Sequence, residues 1–233
     1  MVFFLGYVLK KIPPKNPINF PALSSQIEME CIPCRDLIIK MGTMISSFVE
    51  GRVDKINITY PSTLPVTSFS ILTRYFLATY LKRSLSGRIN AVNSMQLARE
   101  RNIEIIESVS QKKDHENHLK IIIYKNSKKV CSLKGALFPL SGAKILSING
   151  FSVQFEPIGN ITFVLHTDKP GMIGNITTFL GKESINIAGL QVARHKKEKE
   201  EMMVLSTDES INENQITRIK SIEGVFNAWT MKF

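Results

Sequence analysis

Apolar residues recur along this chain with two periods, and the switches between them mark out its elements. Over 33–49, Leu37, Ile38, Met41, Met44, Ile45 and Phe48 repeat at helical spacing, and Gly51 stands where a C-terminal cap belongs. A helix is predicted there, with Pro33 at its start. Over 52–60, Val53, Ile56 and Ile58 alternate imperfectly with polar residues; their β-branched content and the following Pro61 predict a strand. Helical spacing returns over 68–85 through Ile71, Leu72, Tyr75, Phe76 and Tyr80, ending near Gly87, and a third helix is predicted over 91–101. Strands are predicted over 118–124 and 129–136, then a short pair over 144–148 and 152–156 around an Asn149-Gly150 turn. The apolar opening over 1–8 reads as a strand, the prolines at 13, 14, 17 and 21 as an extended linker, and 111–117 as a charged loop.

After Pro157, Gly159 and Asn160 the pattern becomes self-contained: strand 161–166, helix 171–182, strands 185–193 and 201–207, helix 212–221, strand 225–231. That βαββαβ order is the ferredoxin-like arrangement, four antiparallel strands with both helices on one face. The opposite face is expected to be bare, and so to invite a second copy. The fold class is therefore α+β, with two α/β-sandwich domains: 1–24 as a linker, 25–158 as a first domain and 160–233 as a second.

Composition narrows the classes further. The 233 residues, 43% hydrophobic and 21% charged, suit two folded domains of ordinary size. A net charge of +10 attracts anions in general. The basic residues fall in scattered pairs such as Lys128-Lys129, without the interleaved aromatics of a nucleic-acid stacking platform. Apolar runs are too short for a membrane span, so no membrane partner is expected. Cys31, Cys34 and Cys131 are odd in number, which favours a reducing, cytoplasmic compartment. The Cys31–Cys34 pair lacks further zinc ligands and the preceding strand of a thioredoxin-like motif, so no metal site is predicted.

The candidate chemistry sits where the first strand of the second domain gives way to its helix. The free amides of Met172, Ile173 and Gly174, at a helix start entered through Pro170 and Gly171, attract a carboxylate. Asp168 beside them can accept from an ammonium group, and Asn186 can serve both groups. His166 shares a strand face with Asp168 and can bond a ligand hydroxyl or carboxylate. The plain structural roles are a core histidine satisfied by backbone and an aspartate capping the helix. The run 196–201 reads as a solvated hairpin tip.

The run 166–174, His-Thr-Asp-Lys-Pro-Gly-Met-Ile-Gly, followed by Ser184-Ile-Asn-Ile-Ala188, resembles the ACT domain that closes the long forms of D-3-phosphoglycerate dehydrogenase. In that family a His or Tyr, an Asn or Asp two residues on, and an Asn after the first helix bind the feedback inhibitor L-serine between two ACT domains. The resemblance implies that His166, Asp168 and Asn186 take those roles, with Pro170, Gly171, Met172 and Ile173 around them, in a homodimer or tetramer. The stretches 17–21, 89–93, 98–103 and 144–150 are similar to the segments that leave the catalytic part and build the intervening domain. They imply that 1–24 is a linker or remnant of the catalytic part and that 25–158 is the intervening domain. They also imply a second anion site at Lys144, opposed by Glu156.

The chain departs from the family by lacking a G-x-G-x-x-G turn and its acidic partner, so no catalytic residue and no cofactor are expected in it; NAD belongs to the full-length family. The expectation is a regulatory module binding L-serine or another small amino acid, as a fragment, a remnant, or a subunit with a separate catalytic partner. The alternatives are the regulatory part of an iron–sulfur L-serine dehydratase, whose serine- and histidine-rich signature is absent, and a freestanding interaction or nucleic-acid-binding protein driven by charge.

Overall fold

A computed structural model describes residues 25–85, 87–110, 118–195 and 199–233, with side chains from residue 31 onward. The strand expected over 1–8, the linker within 1–24 and the charged loop over 111–117 lie outside the described residues. The chain divides into two compact units, Met1–Ala143 and Lys144–Phe233.

In the first unit α1 (Ser25–Phe48), β1 (Lys55–Tyr60), a 3-10 turn (Val66–Ser68), α2 (Phe69–Leu81), α3 (Ser94–Glu100), β2 (Glu104–Val109), β3 (Leu119–Lys125) and β4 (Lys128–Phe138) follow one another. The strands lie in the order β2-β1-β3-β4, with β2 parallel to β1 and the other pairs antiparallel. Alternation buries Ile56, Ile58 and Tyr60 of β1 and Leu119, Ile121 and Ile123 of β3. Helix α1 packs on α2 and on β4, and Gly42 permits the close crossing, since a Cβ there would stand 3.2 Å from the Phe76 carbonyl oxygen. The first helix begins before Pro33 and carries that proline in its interior. Buried Cys31, Cys34 and Leu37 extend its apolar face across the proline, and that packing offsets the hydrogen bond a mid-helix proline removes. Strand β2 was not foreseen, because its residues are mostly exposed and show no alternation.

The second unit opens with a hairpin, β5 (Gly142–Ile148) and β6 (Phe151–Phe155), turned at Asn149 and Gly150 with φ of 50° and 94°. Then come β7 (Asn160–Thr167), α4 (Met172–Lys182), β8 (Ile187–Arg194), β9 (Glu200–Thr207), α5 (Glu213–Lys220) and β10 (Val225–Lys232). The sheet order is β10-β7-β9-β8, all antiparallel pairs, which is the expected ferredoxin-like arrangement. Val164, Met203, Leu205 and Ala228 of the sheet meet Ile176 and Leu180 of α4 and Ile216 and Ile219 of α5 in one core. The expectation of a bare opposite face is corrected: Phe163, Met202 and Val204, which point away from the helices, are buried. The hairpin does this, with Phe155 edge-on to Phe163 at 5.6 Å. The Gln191 side chain also accepts from the Gln154 amide and donates to its carbonyl.

A candidate amino-acid site at one end of the second sheet

Strand period places Thr162, Val164 and His166 of β7 on the helix-facing side, with His166 last before the loop to α4. The register then builds a row across three strands, because His166 pairs with Glu201 and Glu201 with Arg194. His166 is wholly buried and Glu201 is 5% exposed. The His166 Nδ1 lies 2.9 Å from the Thr167 carbonyl oxygen; a carbonyl only accepts, so Nδ1 carries the proton and donates. With Nδ1 donating, Nε2 is the ring atom left for a ligand, and that buried atom has no hydrogen-bond partner among the described residues. Glu201 Oε2 stands 4.0 Å from Nδ1.

Arg194 ties this row to the loop. Its Nε donates to Glu201 Oε1 at 2.8 Å and lies 3.3 Å from Asp168 Oδ2. The two carboxylates hold its guanidinium even more firmly protonated than usual, the Glu201 hydrogen bond first and the Asp168 charge next. Asp168 thus faces a cation and does not cap the helix: α4 starts after Gly171 with no side-chain cap. Gly171 is required by conformation, with φ of 89° in the left-handed region, and a Cβ there would meet nothing within 4 Å. Pro170 lies exposed in the turn before it; Met172 turns its side chain into the core, while Ile173 stays 43% exposed beside the helix start.

His166, Asp168, Pro170, Gly171, Met172 and Ile173 therefore share one end of the sheet, and Asn186 does not join them. Asn186 directly precedes Ile187, which pairs with Thr207, and Thr207 pairs with Asn160. It lies level with the start of β7, six residues from His166, roughly 20 Å at strand rise. There its side-chain amide donates to Asp208 at 2.5 Å and its backbone amide to Glu209 at 2.8 Å. Lys144 lies half-buried in β5 beside Ile145, whose partner is Phe155, so Glu156 stands at the same end of that hairpin. A nearby cavity of about 540 Å³ is lined by Leu146, Ser152, Val153, Gln154, Gln191 and Val192, without Lys144.

Reading the residues alone missed Arg194 and Glu201. The run 196–201 reads as a solvated tip; residues 196–198 lie outside the described residues, but Glu201 is buried. The available signal was the hairpin itself, which sets Arg194 opposite Glu201. In the first unit Cys31 and Cys34 are buried, and burial pushes the Cys34 thiol up to about 12, which leaves almost no thiolate for redox chemistry at neutral pH.

Comparison with known proteins matches two family models: the D-3-phosphoglycerate dehydrogenase intervening domain over residues 32–149 and the ACT domain over residues 160–224. The chain is 31% identical to D-3-phosphoglycerate dehydrogenase of Archaeoglobus fulgidus, over 94% of this chain and 42% of the relative. The enzyme of Methanocaldococcus jannaschii is 30% identical over 91% of this chain and 40% of the relative. That of Bacillus subtilis is 27% identical over 93% of this chain and 41% of the relative. The chain thus spans about 40% of the length of the curated relatives it matches.

Proposed function

We propose, from the premise that this chain belongs to the D-3-phosphoglycerate dehydrogenase family through its intervening and ACT domains, that it is a regulatory module for a small hydroxylated amino acid, L-serine. The observation that carries this is one convergence. An uncapped helix start, a surface carboxylate and a buried imidazole acceptor meet at one end of the ACT sheet. The helix amides suit a carboxylate, Asp168 suits an ammonium, and His166 Nε2 accepts from a hydroxyl, which distinguishes serine from alanine.

Asn186, at the far end, completes the site by belonging to a second copy. Two chains related by a two-fold axis would bring the Asn186 end of each sheet to the His166 end of the other, forming two equivalent sites. A ligand held at such a junction favours the dimer arrangement that fits it, and so biases whatever catalytic domains are attached, in the same polypeptide or a separate one. Dinucleotide binding and hydride transfer would belong to those domains. The family match disfavours the dehydratase and charge-driven alternatives.

Thermal melts of the full chain with L-serine, L-alanine and glycine test the reading. L-serine is expected to raise the midpoint most, since a ligand that prefers the folded state adds about 2.7 kcal/mol at a hundred times its Kd. Both His166→Ala and Asn186→Ala should abolish the shift alone, while their mixture should regain part of it through hybrid dimers carrying one intact site. A mixture as silent as its components would refute the shared site; no response to any amino acid in the unsubstituted chain would refute the function.

A further inference from the structure

Both acids at this site meet the same atom of Arg194. Glu201 Oε1 and Asp168 Oδ2 each lie against Nε, at 2.8 and 3.3 Å. A guanidinium has five donors in a planar fork, so this anchoring leaves the two terminal nitrogens for another partner. The hydrogen bond that Arg194 makes among the described residues comes from Nε, not from these terminal nitrogens. Exposure follows the same gradient: the side chain of Glu201 is 7% exposed, that of Asp168 36% and that of Arg194 74%. The guanidinium is thus moored on its buried side at the sheet end where α4 starts uncapped.

From this geometry we infer that Arg194 joins the α4 amides in receiving the ligand carboxylate, which rests on the amino-acid reading above, and that Glu201 is the positioning residue that aims it. Terminal nitrogens held in a fixed plane suit bidentate pairing with a carboxylate. The charges make the receptor selective. Asp168 and Glu201 set two negative charges beside the one positive charge of Arg194, so the acids oppose a simple anion, whereas a zwitterion brings an ammonium that Asp168 takes. The site should therefore prefer α-amino acids to hydroxy acids of the same size.

Calorimetric titration of the full chain with L-serine, ethanolamine and 3-hydroxypropionate separates the parts, since the latter two lack the carboxylate and the ammonium respectively. Arg194→Gln is expected to weaken L-serine roughly 10- to 100-fold, the worth of hydrogen bonds to a charged group, while leaving ethanolamine unchanged. Glu201→Gln should weaken L-serine by a smaller factor and likewise spare ethanolamine. Equal weakening of both ligands by Arg194→Gln would reduce Arg194 to a support for the acids and overturn the inference. Tighter binding of either would overturn it too, by showing that Arg194 competes with the ligand's ammonium. Asp168→Asn separates the two levels: it should weaken L-serine and ethanolamine together, and if it changes neither, the amino-acid reading itself falls.

Discussion

The two helices of the ACT domain pack on one face of one sheet and start in opposite ways. Helix α5 opens with a closed capping box: the Asn212 side chain accepts from the Gln215 amide and the Gln215 side chain from the Asn212 amide, each at 3.0 Å. Helix α4 opens on a left-handed glycine without any side-chain cap, and Asp168, in the loop before it, faces Arg194 instead of the helix. Packing does not explain the contrast, because Leu180 of α4 and Ile219 of α5 are equally and fully buried. A good cap contributes about 1 kcal/mol, so leaving α4 open forgoes stability at the sheet end where Asp168, Arg194 and Glu201 converge. One start serves the fold; on the proposed function, the other is left for a ligand.

The contrast is broken most severely at Gly171. Replacing it with alanine puts a Cβ into the left-handed region, which costs about 1–2 kcal/mol, and distorts the amides beside Asp168. Urea unfolding should show that loss, and titration a matching loss of amino-acid affinity. At the closed start, Asn212→Ala should cost about 1 kcal/mol and leave affinity untouched. If Asn212→Ala weakened the ligand as much as Gly171→Ala, the two starts would not differ in function. Gly174→Ala sharpens the comparison with a smaller and opposite effect. Nothing lies within 4 Å of a Cβ at that first-turn position, so the helix should gain about 0.5–1 kcal/mol, while a ligand seated on these amides loses room. Higher stability with unchanged affinity would move the ligand away from the first turn of α4.

Much of the ACT fold was legible because its strands and helices alternate cleanly and its turns carry Gly, Asn or Pro. The loop residues of the site were legible for the same reason, as His166 to Gly174 form one unbroken motif. What local pattern could not carry was register. Arg194 and Glu201 flank a charged run that reads as solvent-facing, and only their pairing with each other and with His166 buries Glu201. Asn186 shows the converse. The motif groups it with His166, yet β9 separates β7 from β8 and makes those two strands parallel, so the end of one and the start of the other lie at opposite edges. In the first unit β2 was not legible because it lies at the sheet edge with its side chains largely exposed, and α1 outran its expected start because tertiary packing carried it past Pro33.

The two helices are also coupled, and the coupling titrates. Glu183, the C-terminal cap residue of α4, accepts from the Gln215 side chain at 3.2 Å and from Arg218 at 2.5 Å. Gln215 is the residue that closes the box of α5, so its oxygen serves one helix start while its nitrogen holds the end of the other. The Gln215 hydrogen bond, followed by that of Arg218, keeps the Glu183 carboxyl below the usual carboxylate range. A carboxyl whose pKa is lowered by folding stabilises the fold above its unfolded value, about 4.3 for glutamate, and that contribution disappears as pH falls through the lowered folded value. Glu183→Gln should therefore lower the urea midpoint slightly at pH 7, and the gap to the unsubstituted chain should close toward pH 3. A gap that persists in acid would mean the glutamine fails through shape and that the carboxylate charge contributes nothing. The acid-sensitive contact sits at the closed start of α5, so amino-acid affinity at the open start of α4 should be the same in Glu183→Gln at neutral pH.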